Sequence, residues 1–207
     1  MSTRTKSKRN YSSLKLEETM QMLGHKNLID WQLNAPPRSP SSILMTNLQR
    51  LRVFDLLNSE QAKTLLIDAL FAEIVSEHPK LKIWKSEALD TDTLRGVADY
   101  LFAPYMAYLS TPLLCVTEAK RDDFDKGRVQ CLAEMYACQW NNRKRGLEVV
   151  VYGIVSNGQG WQFYKLTLDC EAYMTTMYGF EDLPGVLGAL DYLCTECAKN
   201  VPADCVR

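Results

Sequence analysis

The sequence predicts an α/β protein, because apolar positions recur with a period of two in some segments and of about 3.6 in others, and the two patterns alternate along the chain. Ala62, Leu65, Leu66, Ala69, Ala72 and Glu73 fall on one face of a helix. The alternation around Leu81 and Ile83, and the β-branched run Val149, Val150, Val151 with Tyr152, Ile154 and Val155, read as strands. With 207 residues, 46% apolar and 24% charged, the chain is long enough for one good core and a single domain.

At the N-terminus, residues 1–16 hold Arg4, Lys6, Lys8, Arg9 and Lys15 and no acid. Removing these five leaves 19 basic against 25 acidic residues, a formal net of −6 for the remainder. Counterion release rewards only bases that meet phosphates, so a broadly basic surface that coats a duplex is excluded, and any nucleic-acid contact must be local. The tail reads as a solvated terminus. A transit peptide fits less well, because Glu17 and Glu18 follow closely. The stretch NAPPRSPSS at 34–42 breaks the chain, so 1–42 is expected to be an arm and 43–207 the domain, with its core at 59–168 and a last helix at about 182–199.

The first core helix is expected from Ser59, a cap candidate, to Glu77, closed by Pro79. Lys80–Ala88 reads as a strand, and Asp90 and Asp92 turn it into a second strand carrying Asp99. A third strand runs to Lys120. After the polar RDDFD segment, Val129, Leu132, Ala133, Tyr136, Ala137 and Trp140 keep helical spacing, which predicts an amphipathic helix lying on the sheet. It ends in Arg143, Lys144, Arg145 and Gly146, which either complement the helix dipole and cap it or contact phosphates. The Val149–Val155 strand then turns at SNGQG into Trp161–Leu166, a hairpin with glycines at positive-φ positions.

Asp182 and Pro184 open a C-terminal helix whose Leu183, Val186, Leu187, Leu190, Leu193, Cys194 and Cys197 share one face. Both thiols therefore belong to the core, and a single CxxC provides too few ligands for zinc. The chain has seven scattered cysteines and no secretory leader, which predicts free thiols in a reducing cytoplasm. No apolar run approaches the roughly 20 residues of a membrane span. His25 and His78 are the only histidines, and neither sits in a nucleophile–base arrangement.

The chemistry concentrates at residues 94–120. Val97, Asp99 and Leu101 share one strand face, as do Leu114, Val116, Glu118 and Lys120, so Asp99, Glu118 and Lys120 can converge where burial is expected. Two carboxylates withdrawn from water repel each other, and the usual remedies are a shared proton, a cationic partner or a divalent metal. Lys120 is one partner; a hard cation such as Mg²⁺ is the other.

At these residues the chain resembles the PD-(D/E)XK superfamily of restriction-endonuclease-like nucleases. Asp99 matches the isolated acid and Glu118-Ala119-Lys120 the E-x-K tripeptide, with Ala98 where the eponymous proline would stand and a linker at Tyr105–Thr111 longer than a tight hairpin needs. The resemblance implies an αβββαβ core with a mixed central sheet flanked by helices, the two motif strands being neighbours. It further implies that the preceding helix contributes a glutamate, Glu73 ahead of Glu77, unless these are boundary carboxylates. Gln130 matches loosely the glutamine of the RecB-like branch, or is a solvated residue at a helix edge. The hairpin ending at Leu166 is similar to one closing the core in nuclease domains of type I restriction subunits.

The function that this resemblance implies is a metal-dependent phosphodiesterase acting on nucleic acid, with DNA ahead of RNA. Asp99 and Glu118 would hold Mg²⁺ or Mn²⁺, aided by Glu73 and the Ala119 carbonyl, while Lys120 orients the nucleophile or stabilises charge. The competing expectation is a nucleic-acid- or protein-binding module that keeps the fold without cleavage. Relatives often pair to cut both strands, so a homodimer is slightly preferred, with the C-terminal helix serving either an interface or the packing of one monomer.

Overall fold

The computed structural model describes residues 8–56, 60–120 and 123–203. In chain order the elements are β1 (Arg9–Asn10), α1 (Leu16–Leu23), β2 (Ile29–Asp30), α2 (Ser42–Leu51), α3 (Glu60–Val75), β3 (Leu81–Ala88), β4 (Leu94–Arg95), β5 (Val97–Pro104), β6 (Cys115–Ala119), α4 (Phe124–Arg143), β7 (Val151–Ser156), β8 (Gly160–Leu166), β9 (Ala172–Met174), β10 (Tyr178–Gly179) and α5 (Leu183–Lys199). Single 3₁₀ turns lie at Tyr11–Ser13 and Phe180–Asp182. Among the described residues, eight strands form one mixed sheet of order β2-β9-β8-β7-β6-β5-β3, with β10 beside β8. β6 runs parallel to β7 and antiparallel to β5, so α4 is the crossover between the two parallel strands.

Helices cover both faces of the sheet, which gives the protein its α/β class. On one face Ile67, Leu70, Phe71 and Ile74 of α3 and Leu187, Leu190 and Cys194 of α5 pack on Tyr100, Phe102, Trp161 and Phe163. The other face packs Leu101, Val116, Val151 and Tyr164 against Cys131, Leu132 and Met135 of α4. α4 approaches closely because β7 carries Gly153, where a Cβ would lie 2.6 Å from Cys131 Sγ. Among the described residues no helix is long and apolar enough to cross a membrane.

Three expectations are corrected. α3 buries Leu66, Ile67, Leu70, Phe71 and Ile74, whereas Ala72 is exposed and Glu73 half-buried. The buried seam is thus rotated about one residue, roughly 100°, from the predicted stripe. Phe71 sets the rotation through edge-to-face contacts with Tyr100, Phe102 and Trp161 at 5.2, 5.2 and 6.0 Å, a burial that outweighs several alanines. The predicted cap, Ser59, lies outside the described residues. α4 is not amphipathic: Gly127, Cys131, Glu134, Met135, Cys138 and Asn142 are buried as well as Leu132, Ala133 and Ala137, because the Tyr11–Ser13 turn and α1 cover the side facing away from the sheet. The N-terminal segment is also part of the packed body, with Tyr11, Met20 and Leu23 in the core and β2 extending the sheet beside β9.

Elsewhere the local chemistry acts as expected. Gly146 closes α4 at φ 73°, its N–H donating to Arg143 O at 2.9 Å, and Gly158 holds the β7–β8 turn at φ 82°. Gly160, also predicted at positive φ, is instead extended as the first residue of β8, where it pairs with Gly179 of β10. Asp182 caps α5 by accepting from Gly185 N–H at 3.1 Å. All seven residues of the predicted α5 face are buried within this chain, so that face finishes the packing of one monomer. The six cysteines of the described residues are free thiols.

Candidate functional site

β5 and β6 pair through Tyr100–Thr117, Leu101–Val116 and Phe102–Cys115, and one further step in that register sets Asp99 opposite Glu118. Both side chains leave on the α4 face, because Leu101 and Val116, two positions away, belong to that core. The ladder stops there. Instead of a β5 carbonyl, the Ala119 N–H finds Asp99 Oδ2 at 2.9 Å, so the carboxylate satisfies an amide where the strands part. Lys120 N–H donates to Ser156 O at 2.9 Å and ties the end of β6 to β7.

Glu118 is 1% exposed and fully engaged. Its Oε1 pairs with Lys120 Nζ, and its Oε2 accepts from Gln130 Nε2 at 2.9 Å. The same Gln130 amide nitrogen donates to Oε1 of Glu134 at 3.1 Å, one helical turn further along α4. Glu134 is wholly buried and its Oε2 has no hydrogen-bond partner. Gly127 lets α4 begin this close, since a Cβ there would lie 3.0 Å from Lys120 Cγ and 2.7 Å from Val155 Cγ1.

Burial and repulsion shape the protonation of the cluster. Burial first, then the Asp99 charge, pushes the Glu118 carboxyl up to about 7, against the opposing pull of Lys120. Glu134 is raised well above the carboxylate range, by burial and then by Glu118. A proton held by Glu134 relieves the repulsion between the two acids.

The structure thus brings together Asp99, Glu118, Lys120 and Gln130, and places the Ala119 backbone between the two acids. It does not bring Glu73. Glu73 accepts from Ser41 N–H and Ser41 Oγ, both at 2.8 Å, and sits on α3, which packs on the opposite face of the sheet. Glu77, the second choice, pairs with Arg38. The rotation of α3 explains the correction: an apolar stripe carried from Leu66 and Ala69 to Glu73 points to α2, not to the strands. Glu73→Ala should therefore cost about 1 kcal/mol through the unpaired Ser41 amide. Thermal melts with and without Mn²⁺ would check that any metal response is unchanged.

Glu134 was not anticipated. Its one sequence signal is the i to i+4 spacing from Gln130, which puts both on one side of a helix.

Hard oxygen donors suit Mg²⁺ or Mn²⁺, and this ion is commonly held by only one or two carboxylates, with water and substrate oxygens completing the shell. Asp99 and Glu118 match that donor set, and the raised Glu118 carboxyl marks a place where added positive charge is favourable. Among the described residues no group of three or more His, Cys, Asp or Glu side chains forms a metal cage. The donor set is therefore two carboxylates rather than a cage.

Comparison with protein-family models and with curated proteins yields no match.

Proposed function

We propose that the chain is a metal-dependent nuclease on a restriction-endonuclease-like core, hydrolysing phosphodiesters of nucleic acid, with DNA preferred. One observation carries this reading: Asp99, Glu118 and Lys120 meet on one face of two neighbouring strands, with Gln130 reaching in from the following helix. The order α3, β3, β5, β6, α4, β7 supports the αβββαβ assignment.

Asp99 and Glu118 would hold Mg²⁺ or Mn²⁺, with the Ala119 carbonyl as a further ligand. When bound, the ion supplies Lewis acidity and an activated water. The chain's own residues do the rest. Gln130 fixes the Glu118 carboxylate, Glu134 stays neutral and limits the acidic charge facing it, and Lys120 brings an ammonium to the reacting phosphate. Lys120 would have to release Glu118 to do so, and Asp99 and Glu118 would then be the carboxylates that hold the ion.

A second reading has its own observation: Glu118 finds both Lys120 and Gln130 within the chain, one on each carboxylate oxygen. It fits a binding module that has kept the fold but not the cleavage. Calorimetry with Mn²⁺ separates the two. The nuclease reading expects binding and a raised melting temperature, both abolished by Asp99→Asn or Glu118→Gln, because an ion that binds only the folded state stabilises it by mass action. A metal response that survives both substitutions would sink the site.

A further inference from the structure

A pocket of about 900 Å³ opens between the Tyr105–Thr111 linker, the β3–β4 turn and the C-terminal end of α4. Two features far apart in the sequence form it, the over-long linker and the basic end of α4. Its wall carries Tyr108, Trp140, Lys144, Arg145, Ser110 and Asp90. Tyr108 stands 64% exposed, an aromatic ring presented to solvent. Lys144 Nζ lies 3.8 Å from the centroid of Trp140, and Arg145 is exposed beside it. The one acid of the wall, Asp90, is paired at 3.0 Å with Lys8, which neutralises its charge. Arg143, the first base of the cluster, turns away toward Leu168 O and Cys170 Sγ.

We infer that this pocket binds an unpaired nucleotide of a single nucleic-acid strand, its base stacked on Tyr108 or Trp140 and its phosphate met by Lys144 and Arg145. Rings interleaved with cations are what single-strand recognition requires, since every base has a face to stack and every linkage a charge to neutralise. A phosphate would draw the Lys144 ammonium off the indole and bare the ring. The placement suits a substrate that also reaches the acids, and to that extent the inference rests on the proposed function. Leu101, in the pocket wall, shares its strand face with Asp99, and Gln130 lies about 15 Å from Trp140 along α4, the span of a few nucleotides.

The test uses the full chain in EDTA, so that no metal-dependent step contributes. Titrating a fluorescein-labelled oligothymidylate and following anisotropy should reveal saturable binding. Tyr108→Ala and Trp140→Leu should each weaken it on the order of 10-fold or more, and Lys144→Gln should lower the salt slope by about 0.7. Asp99→Asn should retain the binding while losing the metal response, so failure at the acids and failure at the pocket are separable. Tyr108 and Lys144 are exposed, which keeps both variants informative if Trp140→Leu does not fold. No binding by the wild type, or binding unchanged in Tyr108→Ala and Lys144→Gln, would overturn the inference. Polyglutamate competing as well as the oligonucleotide would overturn it too, pointing to an acidic protein partner.

Discussion

Lys120→Met should lower metal-dependent cleavage by roughly 10²-fold or more while Mn²⁺ still binds, because the ammonium is lost but both carboxylates remain. The substitution keeps much of the aliphatic stem that rests near Gly127, so packing at the start of α4 should survive. Asp99→Asn and Glu118→Gln should instead abolish binding and cleavage together. Single-turnover cleavage of labelled DNA beside calorimetry distinguishes the two patterns. Unchanged cleavage with weakened folding in Lys120→Met would make Lys120 only the counterion of Glu118, and the binding-module reading would then be preferred.

Glu134→Gln should stabilise the metal-free protein above neutral pH and flatten its dependence on pH. Linkage sets the sign. Glu118 and Glu134 have folded values raised above the ordinary 4.5, so between 4.5 and the folded value the unfolded chain binds fewer protons than the folded one, and stability falls as pH rises. Each carboxyl contributes a slope of up to about 1.4 kcal/mol per pH unit. For Glu118 the window closes near 7; for Glu134 it closes at that group's own raised folded value. Below about 4.5 both are protonated in either state and the contribution is fully present. Glu18, held down to about 2 by Arg9, acts only below that window. Replacing Glu134 with neutral, isosteric glutamine removes one of the two slopes, so the two proteins should diverge progressively as the pH rises above about 4.5. Urea melts in EDTA across this range would measure it; parallel curves for the two proteins would show that Glu134 is already ionised in the native state.

The two predictions differ in how far they could be read from the chain. Asp99, Glu118 and Lys120 were legible because side chains alternate strictly along a strand, so a charge spaced by two from Leu101 or Val116 must share its face. Only the β5–β6 register set Asp99 opposite Glu118. Glu134 was hidden by its own helix. α4 is buried on nearly every side, so its sequence lacks the polar face that would have made an inward glutamate conspicuous.

Local pattern by itself determined the α/β class, the succession from α3 through β3, β5, β6, α4, β7 and β8 together with α5, the capping of α4 and α5 by Gly146 and Asp182, and the core position of Cys194 and Cys197, since each depends on residues within one segment. The tertiary structure alone decided the rest, because it depends on which surfaces meet. The Phe71 ring rotated α3 and turned Glu73 toward Ser41. The N-terminal segment, set apart by its prolines, folded back to cover α4 and extend the sheet. Glu134 was carried to within reach of Glu118 by the docking of α4 against Gly153, a contact between residues on different elements that no local pattern encodes.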